Sequence, residues 1–292
     1  DMIKSMTGYG KAEACLESGK ITIEIRTLNG KTADVNIKSS LLPKDKELLV
    51  RQKLADRLHR GTIDFFVTFE ANAVSSAKHI NADLAESYFR QISELGDRLG
   101  LKTDSALYLN SIIRFPDVID NTRQDVITAE NWAAVEAAID EAISNTCDYR
   151  SREGVALYKD VTGRVQNILN LENEVESFEG ERIAAVRAKL EKAISDLQLK
   201  PDQSRFEEEM IYYLEKFDIN EEKVRLRQHC KYFMDTIDAD EYPGKKLGFI
   251  IQEMGREINT TGSKANHAGI QKVVVRMKDE LEKIREQSMN IL

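Results

Sequence analysis

The residues best equipped for chemistry lie in three neighbouring segments of the C-terminal third. In the first, DINEEKVRLRQH, Glu222, Arg225 and His229 recur at i, i+3 and i+7 and form a polar ridge beside the apolar stripe Leu226, Cys230, Phe233 and Ile237. A histidine at the edge of such a stripe ordinarily makes one structural hydrogen bond; as a neutral imidazole near pH 7 it can also move a proton or bind a metal. On the other shoulder Lys223, Arg227 and Lys231 repeat every four residues. Such a row is ordinarily a solvated face, and its spacing can also follow a phosphate backbone.

The second segment, IIQEMGREINTTG, turns Leu247, Ile250, Ile251, Met254 and Ile258 inward and sets Glu253, Arg256, Glu257 and Thr260 on the opposite face. Two carboxylates at i, i+4 repel by about 0.3 kcal/mol. A cation therefore belongs nearby, either Arg256 with a neighbouring lysine or a divalent metal; an incidental surface pair with an arginine partner is the plainer reading. The third segment, NTTGSKAN, is expected at a helix-to-helix turn. There Thr260, Thr261, Gly262, Ser263 and the free N–H groups of the next helix would cradle a phosphate, with Lys264 supplying charge. The pattern G-x-x-x-x-G-K-[ST] is absent and no strand precedes the segment, which argues against nucleotide hydrolysis; GxGxxG, HExxH and GxSxG are absent too.

The elements that must position these groups read as an α+β chain. ITIEIRTL and IDFFVTF alternate with period two, and Met2–Gly10 and Ala33–Lys38 read as further strands. Between Pro43 and His59 the positions Leu48, Leu54 and Leu58 return at helical spacing, and Arg60-Gly61 turns the chain into the next strand. The expected order is three strands, a helix and a strand. From residue 80 the chain is helical: Asn81 caps a stripe of Leu84, Tyr88, Ile92, Leu95 and Leu99, and Thr128 opens another of Trp132, Val135, Ile139 and Ile143. Residues 151–199 carry apolar positions three and four apart amid dense charge, which predicts an extended helical hairpin or coiled-coil arm. Ser204 and Asp218 each open a capping box, Pro243 starts a helix, and a last helix runs from about Lys264 to Asn290. Three units are expected: an α+β lobe over 2–79, a helical middle over 80–200, and a C-terminal helical domain over 201–292.

The composition narrows the classes. The 292 residues hold 42 Lys+Arg against 50 Asp+Glu, a net charge of −8 that disfavours a protein coated in basic charge for nucleic acid. Resolved along the chain, residues 1–79 carry +3, residues 80–217 carry −11 and residues 218–292 are neutral, so any nucleic-acid path belongs at the two ends. No apolar run reaches the roughly 18 residues of a membrane span, and the N-terminus lacks the sections of a secretory signal. Cys15, Cys147 and Cys230 show no CxxC spacing, which fits reduced thiols. A cytoplasmic protein is expected.

Four stretches, IKSMTGYGKAE, DINEEKVRLRQHCKYF, GKKLGFIIQEMGREINTTGSKANHA and ELEKIREQSMNI, together resemble the YicC/YloC family from end to end. The N-terminal match includes Ser5-Met6-Thr7-Gly8, then Arg26 and Asn29 on the later strand. The resemblance implies a bacterial cytoplasmic endoribonuclease that cuts single-stranded RNA, depends on a divalent metal (Mn2+ or Mg2+) and forms hexamers. Cleavage needs carboxylates to hold the cation, a group to activate the nucleophile, and positive charge around the phosphorus. On that basis Glu253 and Glu257, joined by Glu221 or Glu222, are expected to hold the metal, and His229 to ligate it or act as acid and base. Arg225, Arg256 and Lys264, with Ser263, are expected to meet phosphate oxygens, and Lys4, Arg26 and Arg60 in the N-terminal lobe to bind the RNA backbone. The competing expectation is a non-catalytic ring-forming scaffold that delivers RNA to another RNA-decay enzyme, for which the acidic arm is the best argument.

Overall fold

The computed structural model describes residues 3–72, 78, 80–102, 104–119, 125–196 and 202–292. Met2 of the first expected strand and Leu197 of the expected arm lie outside the described residues. The chain is α+β, as its patterning predicts. Strands β1 (Gly8–Leu16), β2 (Gly19–Leu28), β3 (Ala33–Lys38) and β4 (Gly61–Ala71) form one sheet in the order β1-β2-β4-β3. Helix α1 (Lys44–Leu58) makes the crossover between the parallel pair β3 and β4; the other pairings are antiparallel. Ile21, Ile23, Ile25, Ile63, Phe65 and Val67 alternate inward beneath Val50, Leu54 and Leu58 of α1. Leu48, expected in that stripe, is exposed.

The first strand begins at Gly8 and runs to Leu16, later than its expected start. Its inward positions are Gly8, Gly10, Ala12 and Ala14, too small to register as an apolar period. They are small because a helix lies directly on them: a Cβ at Gly10 would come within 2.2 Å of Ala142 O and of Thr146 Oγ1. That helix is α4 (Trp132–Ser177), 46 residues long and about 69 Å at 1.5 Å per residue. Its first half, Val135 to Ile143, completes the core of the sheet, while Val161, Val165, Ile168, Leu171 and Val175 enter a second core with the C-terminal helices. A division at residues 80 and 200 therefore separates no core from another, because α4 serves both.

The expected hairpin over 151–199 is corrected in the same way. Residues up to 177 continue α4 and bury one face, with Val161, Val165, Ile168, Leu171 and Val175, and the hairpin is made by α5 (Glu179–Asp196) and α6 (Gln203–Lys216), whose side chains are mostly exposed. Asp202, not Ser204, caps α6, accepting from Ser204 N–H. A second pair, α2 (Ala82–Arg98) and α3 (Ser105–Ile112), starts from the expected Asn81 cap and leaves Leu95, Leu99, Leu107 and Leu109 exposed. Helices α7 (Asn220–Ala239), α8 (Gly244–Ala265) and α9 (Ala268–Ser288) then pack with the second half of α4. Among the described residues no helix is long and apolar enough to cross a membrane.

The two ends of the chain meet at the waist of α4. Met6 N–H donates to Asn290 O at 2.7 Å and Leu292 N–H to Lys4 O at 2.9 Å. This strip crosses α4 at Gly154, where a Cβ would sit 1.9 Å from Ile3 O. One turn earlier Arg150, only 2% exposed, donates to Leu58 O (2.7 Å), Met6 O (3.0 Å), Arg60 O (3.0 Å) and Thr27 Oγ1 (3.1 Å). All four acceptors are uncharged, and burial pulls the guanidinium down to a pKa of about 10.

Candidate active site

Helix α7 starts behind Asp218, whose carboxylate accepts from Asn220 N–H at 3.1 Å; the expected capping box to Glu221 does not form, because the helix begins one residue later, with Ile219 at its N-cap position. Leu226, Cys230, Phe233 and Ile237 hold it in the core, which fixes what its two shoulders face. One shoulder faces α8, which runs antiparallel to it. Lys264 Nζ donates to Glu222 Oε1 at 2.7 Å, and farther along the seam His229 Nε2 stands 3.9 Å from Glu257 Oε1. Glu222 is 4% and Glu257 6% exposed. The second oxygen of Glu222 is buried without a hydrogen-bond partner, a costly state for a desolvated anion. The bond from Glu222, with the fields of Glu221 and Asp218 behind it, holds the Lys264 ammonium above the usual lysine range. Arg225 closes onto Glu221 at the rim.

The other shoulder corrects the reading of Lys223, Arg227 and Lys231 as a row along a phosphate backbone. Lys223 is buried and bonds Glu179 at 2.9 Å; Arg227 bonds Glu172 at 2.6 Å and Glu176 at 3.1 Å. Lys223 and Arg227 form an ion ladder to α4 and α5, and Lys231 at the end of the row is exposed. Glu172 is 1% exposed with one oxygen lacking a partner, and burial raises its pKa. The neighbouring Cys230 thiol is pushed up to about 12 by burial, with the Glu172 charge adding to the shift.

Helix α8 also departs from expectation. Glu253 and Glu257 do not share a face: Glu253 is partly exposed and bonds Arg256 at 3.1 Å, whereas Glu257 turns into the α7 seam. Four residues advance a helix by about 40° beyond a full turn, enough to carry one of two such residues past the edge of a packed interface. Nor is NTTGSKAN a turn. The helix continues to Ala265, and its hydroxyls bond back to carbonyls four residues earlier: Thr260 to Arg256, Thr261 to Glu257 and Ser263 to Asn259. The phosphate cradle expected from Ser263 and the backbone N–H groups is therefore not formed, and Lys264 alone of that set reaches the cluster. The break comes at Asn266, in the left-handed region at φ 36°, with His267 capping α9.

The N-terminal candidates stand apart. Arg26 lies on the outer face of the sheet, bonded to Glu24 and 5.3 Å from the Phe66 ring centroid. Lys4 and Arg60 belong to the clasp at the start of α8, where Arg60 donates to Ile291 O at 3.2 Å, roughly 20 Å along the helix axis from Glu257. The structure therefore joins Glu221, Glu222, Arg225, His229, Glu257 and Lys264 along one seam, with Glu253 and Arg256 on its rim. Sequence reading missed Arg150 and Glu172. An arginine in the stretch CDYRSRE carries no signal of burial, and Glu172 is one acid among many in an acidic helix.

Among the described residues no three His, Cys, Asp or Glu side chains converge into a complete metal cage. The donor set nonetheless fits a hard divalent ion of the kind bound by one or two carboxylates plus water and substrate phosphate: Glu222 offers a buried oxygen with no partner, and Glu257 lies along the same seam.

Two family models match the chain. One, described as endoribonuclease YicC-like, N-terminal region, covers residues 3–159, and the other, endoribonuclease YicC-like, C-terminal, covers residues 175–292 and so contains the whole seam. A protein named probable endoribonuclease YicC from Clostridioides difficile (strain 630) is 32% identical over 298 residues, spanning 99% of this chain and 100% of that protein. One of the same name from Haemophilus influenzae (strain ATCC 51907 / DSM 11121 / KW20 / Rd) is 28% identical over 291 residues, again spanning 99% and 100%.

Proposed function

The chain belongs to the YicC-like endoribonuclease family, and from that membership we propose that it cuts single-stranded RNA at the α7–α8 seam with the help of Mn2+ or Mg2+. The observation that carries the placement is the buried Glu222 carboxylate, bonded to Lys264 through one oxygen and unpartnered at the other. Glu222 and Glu257 would hold the cation, which would lend positive charge to a phosphate oxygen. His229, partly exposed beside Glu257, takes a proton from the attacking hydroxyl or gives one to the leaving oxygen. Arg225 and Arg256 form the cationic rim that receives phosphates, joined by Lys264. Both arginines are exposed and bound only to exposed carboxylates, so a phosphate can replace those partners at little cost.

The reading includes self-assembly into a ring-like oligomer, a hexamer, in the cytoplasm. The exposed Leu95, Leu99, Leu107 and Leu109 of the α2–α3 pair, and Ile183, Ile211 and Tyr212 of the α5–α6 hairpin, support assembly because monomers seldom leave so many large apolar side chains in water. Labelled single-stranded RNA incubated with the purified protein, with Mn2+ or Mg2+ and then with EDTA, tests the whole reading. Metal-dependent cleavage that Glu257→Gln abolishes is the expected result. RNA binding without cleavage under every metal would instead make the protein an adaptor.

A further inference from the structure

Lys264, at the end of α8, and Arg227, on α7, both answer a carboxylate sealed from water while 36% and 44% of their own side chains are exposed, but Arg227 is tied to two carboxylates and Lys264 to one. The start of α7 gathers Asp218, Glu221 and Glu222; Arg225 pairs with Glu221, and Lys264 is the cation bonded to the buried Glu222. Glu222 is bonded to that ammonium through one oxygen only. We propose that Lys264 is an internal counter-ion standing in for a divalent cation, and that an RNA phosphate draws it off Glu222, so that RNA and metal bind with positive coupling. The proposal rests on the reading of the α7–α8 seam given above.

The physical argument is one of competing charges. While Lys264 occupies Glu222, a divalent ion must displace an ammonium already bonded at 2.7 Å and held in a partly dehydrated place, which weakens metal binding. An RNA phosphate at the rim offers Lys264 an alternative anion. The lysine stem is long and flexible enough to swing outward, because nothing but its last bond fixes it to Glu222. Once it has left, Glu222 presents both oxygens. Linkage makes the effect reciprocal: metal bound at Glu222 releases Lys264 toward RNA and raises RNA affinity by the same factor. The device keeps the carboxylates from collecting metal in the absence of substrate.

The test is Mn2+ binding by the full-length protein, read as free Mn2+ by electron paramagnetic resonance, alone and with a 2′-O-methyl oligouridylate. The wild type should bind Mn2+ roughly tenfold more tightly when the oligonucleotide is present. Lys264→Met should bind Mn2+ about tenfold more tightly than the wild type without RNA and should lose most of the RNA effect, whereas Lys264→Arg should keep both wild-type properties. Glu222→Gln should bind weakly in every condition. Equal Mn2+ affinity in wild type and in Lys264→Met shown to be folded by circular dichroism would overturn the proposal, as would Mn2+ binding indifferent to Glu222→Gln. Cleavage by the wild type is measured separately: metal-dependent cleavage with unchanged Lys264→Met affinity sinks the coupling alone, and absence of any cleavage sinks the reading of the seam.

Discussion

The two shoulders of α7 are built from the same kinds of residue and behave differently. Each buries a carboxylate with one unpartnered oxygen, Glu172 on the α4 side and Glu222 on the α8 side, and each answers it with a cation. Toward α4 the cation on Glu172 is Arg227, 44% exposed but tied to Glu172 and Glu176 at once. Toward α8 the cation is Lys264, 36% exposed and bonded to Glu222 alone. A buried carboxylate facing a cation tied twice is a joint; one facing a cation held by a single bond is a site. Burial, charge and exposure alone do not tell the two apart, and the difference lies in how many anions hold the counter-ion.

Substitutions that exchange the properties of the two shoulders test this contrast. The largest effect is expected at the acids. Glu222→Gln and Glu257→Gln should each lower the cleavage rate on single-stranded RNA by about a hundredfold or more, while Glu172→Gln should leave it near wild type once corrected for the fraction folded. A comparable loss at Glu172 would erase the distinction. Next come the lysines, compared by urea unfolding. Lys264→Met leaves the buried Glu222 carboxylate with no partner and should cost about 3 kcal/mol, while Lys223→Met, whose partners Glu176 and Glu179 keep contact with water, should cost about 1 kcal/mol.

The rim comes third. Arg225→Ala should weaken RNA binding and reduce the slope of log affinity against log salt by about one, measured by fluorescence anisotropy over a salt series. An unchanged slope removes Arg225 from the phosphate path. The smallest effect separates the shoulders by alkaline stability. Burial raises the Cys230 thiol to about 12 from 9.0, so the folded state holds this proton longer than the unfolded chain. Its contribution is complete below pH 9 and is lost as pH rises toward 12; Cys230→Ala should therefore flatten unfolding free energy against pH over that window, with no change in cleavage at pH 7.

Much of the sheet was legible because its punctuation is local. Ile21 to Leu28 and Ile63 to Phe69 alternate, and Pro43 and Gly61 bound α1. β1 was displaced in the reading because closeness to α4 demands Gly10, Ala12 and Ala14, which carry no apolar signal. The unbroken length of α4 was not legible either: of its two interior glycines, Gly154 and Gly163, the first reads as a weak point and is in fact the place where the N-terminal strip crosses. At the site, the residue types were legible and their pairing was not. Glu253 and Glu257 look equivalent on a helical wheel, and only the packing of α7 onto α8 turns one into the seam and leaves the other on the rim. Asn266 is visible afterwards as a residue that tolerates the left-handed turn, but Thr260 to Ser263 drew attention away from it.

The meeting of the chain's ends at the waist of α4 bears on the order of events during synthesis. The segment around Met6 is made before the sheet, yet the groups it bonds are Arg150, on α4, and Asn290, just past α9. Arg60 likewise waits for Ile291, 231 residues later. The sheet can assemble as soon as α4 appears, but its N-terminal edge remains untethered until α9 has left the ribosome. Contacts so distant in sequence are the slowest to form, so a segment made ahead of the sheet is fastened only after α9.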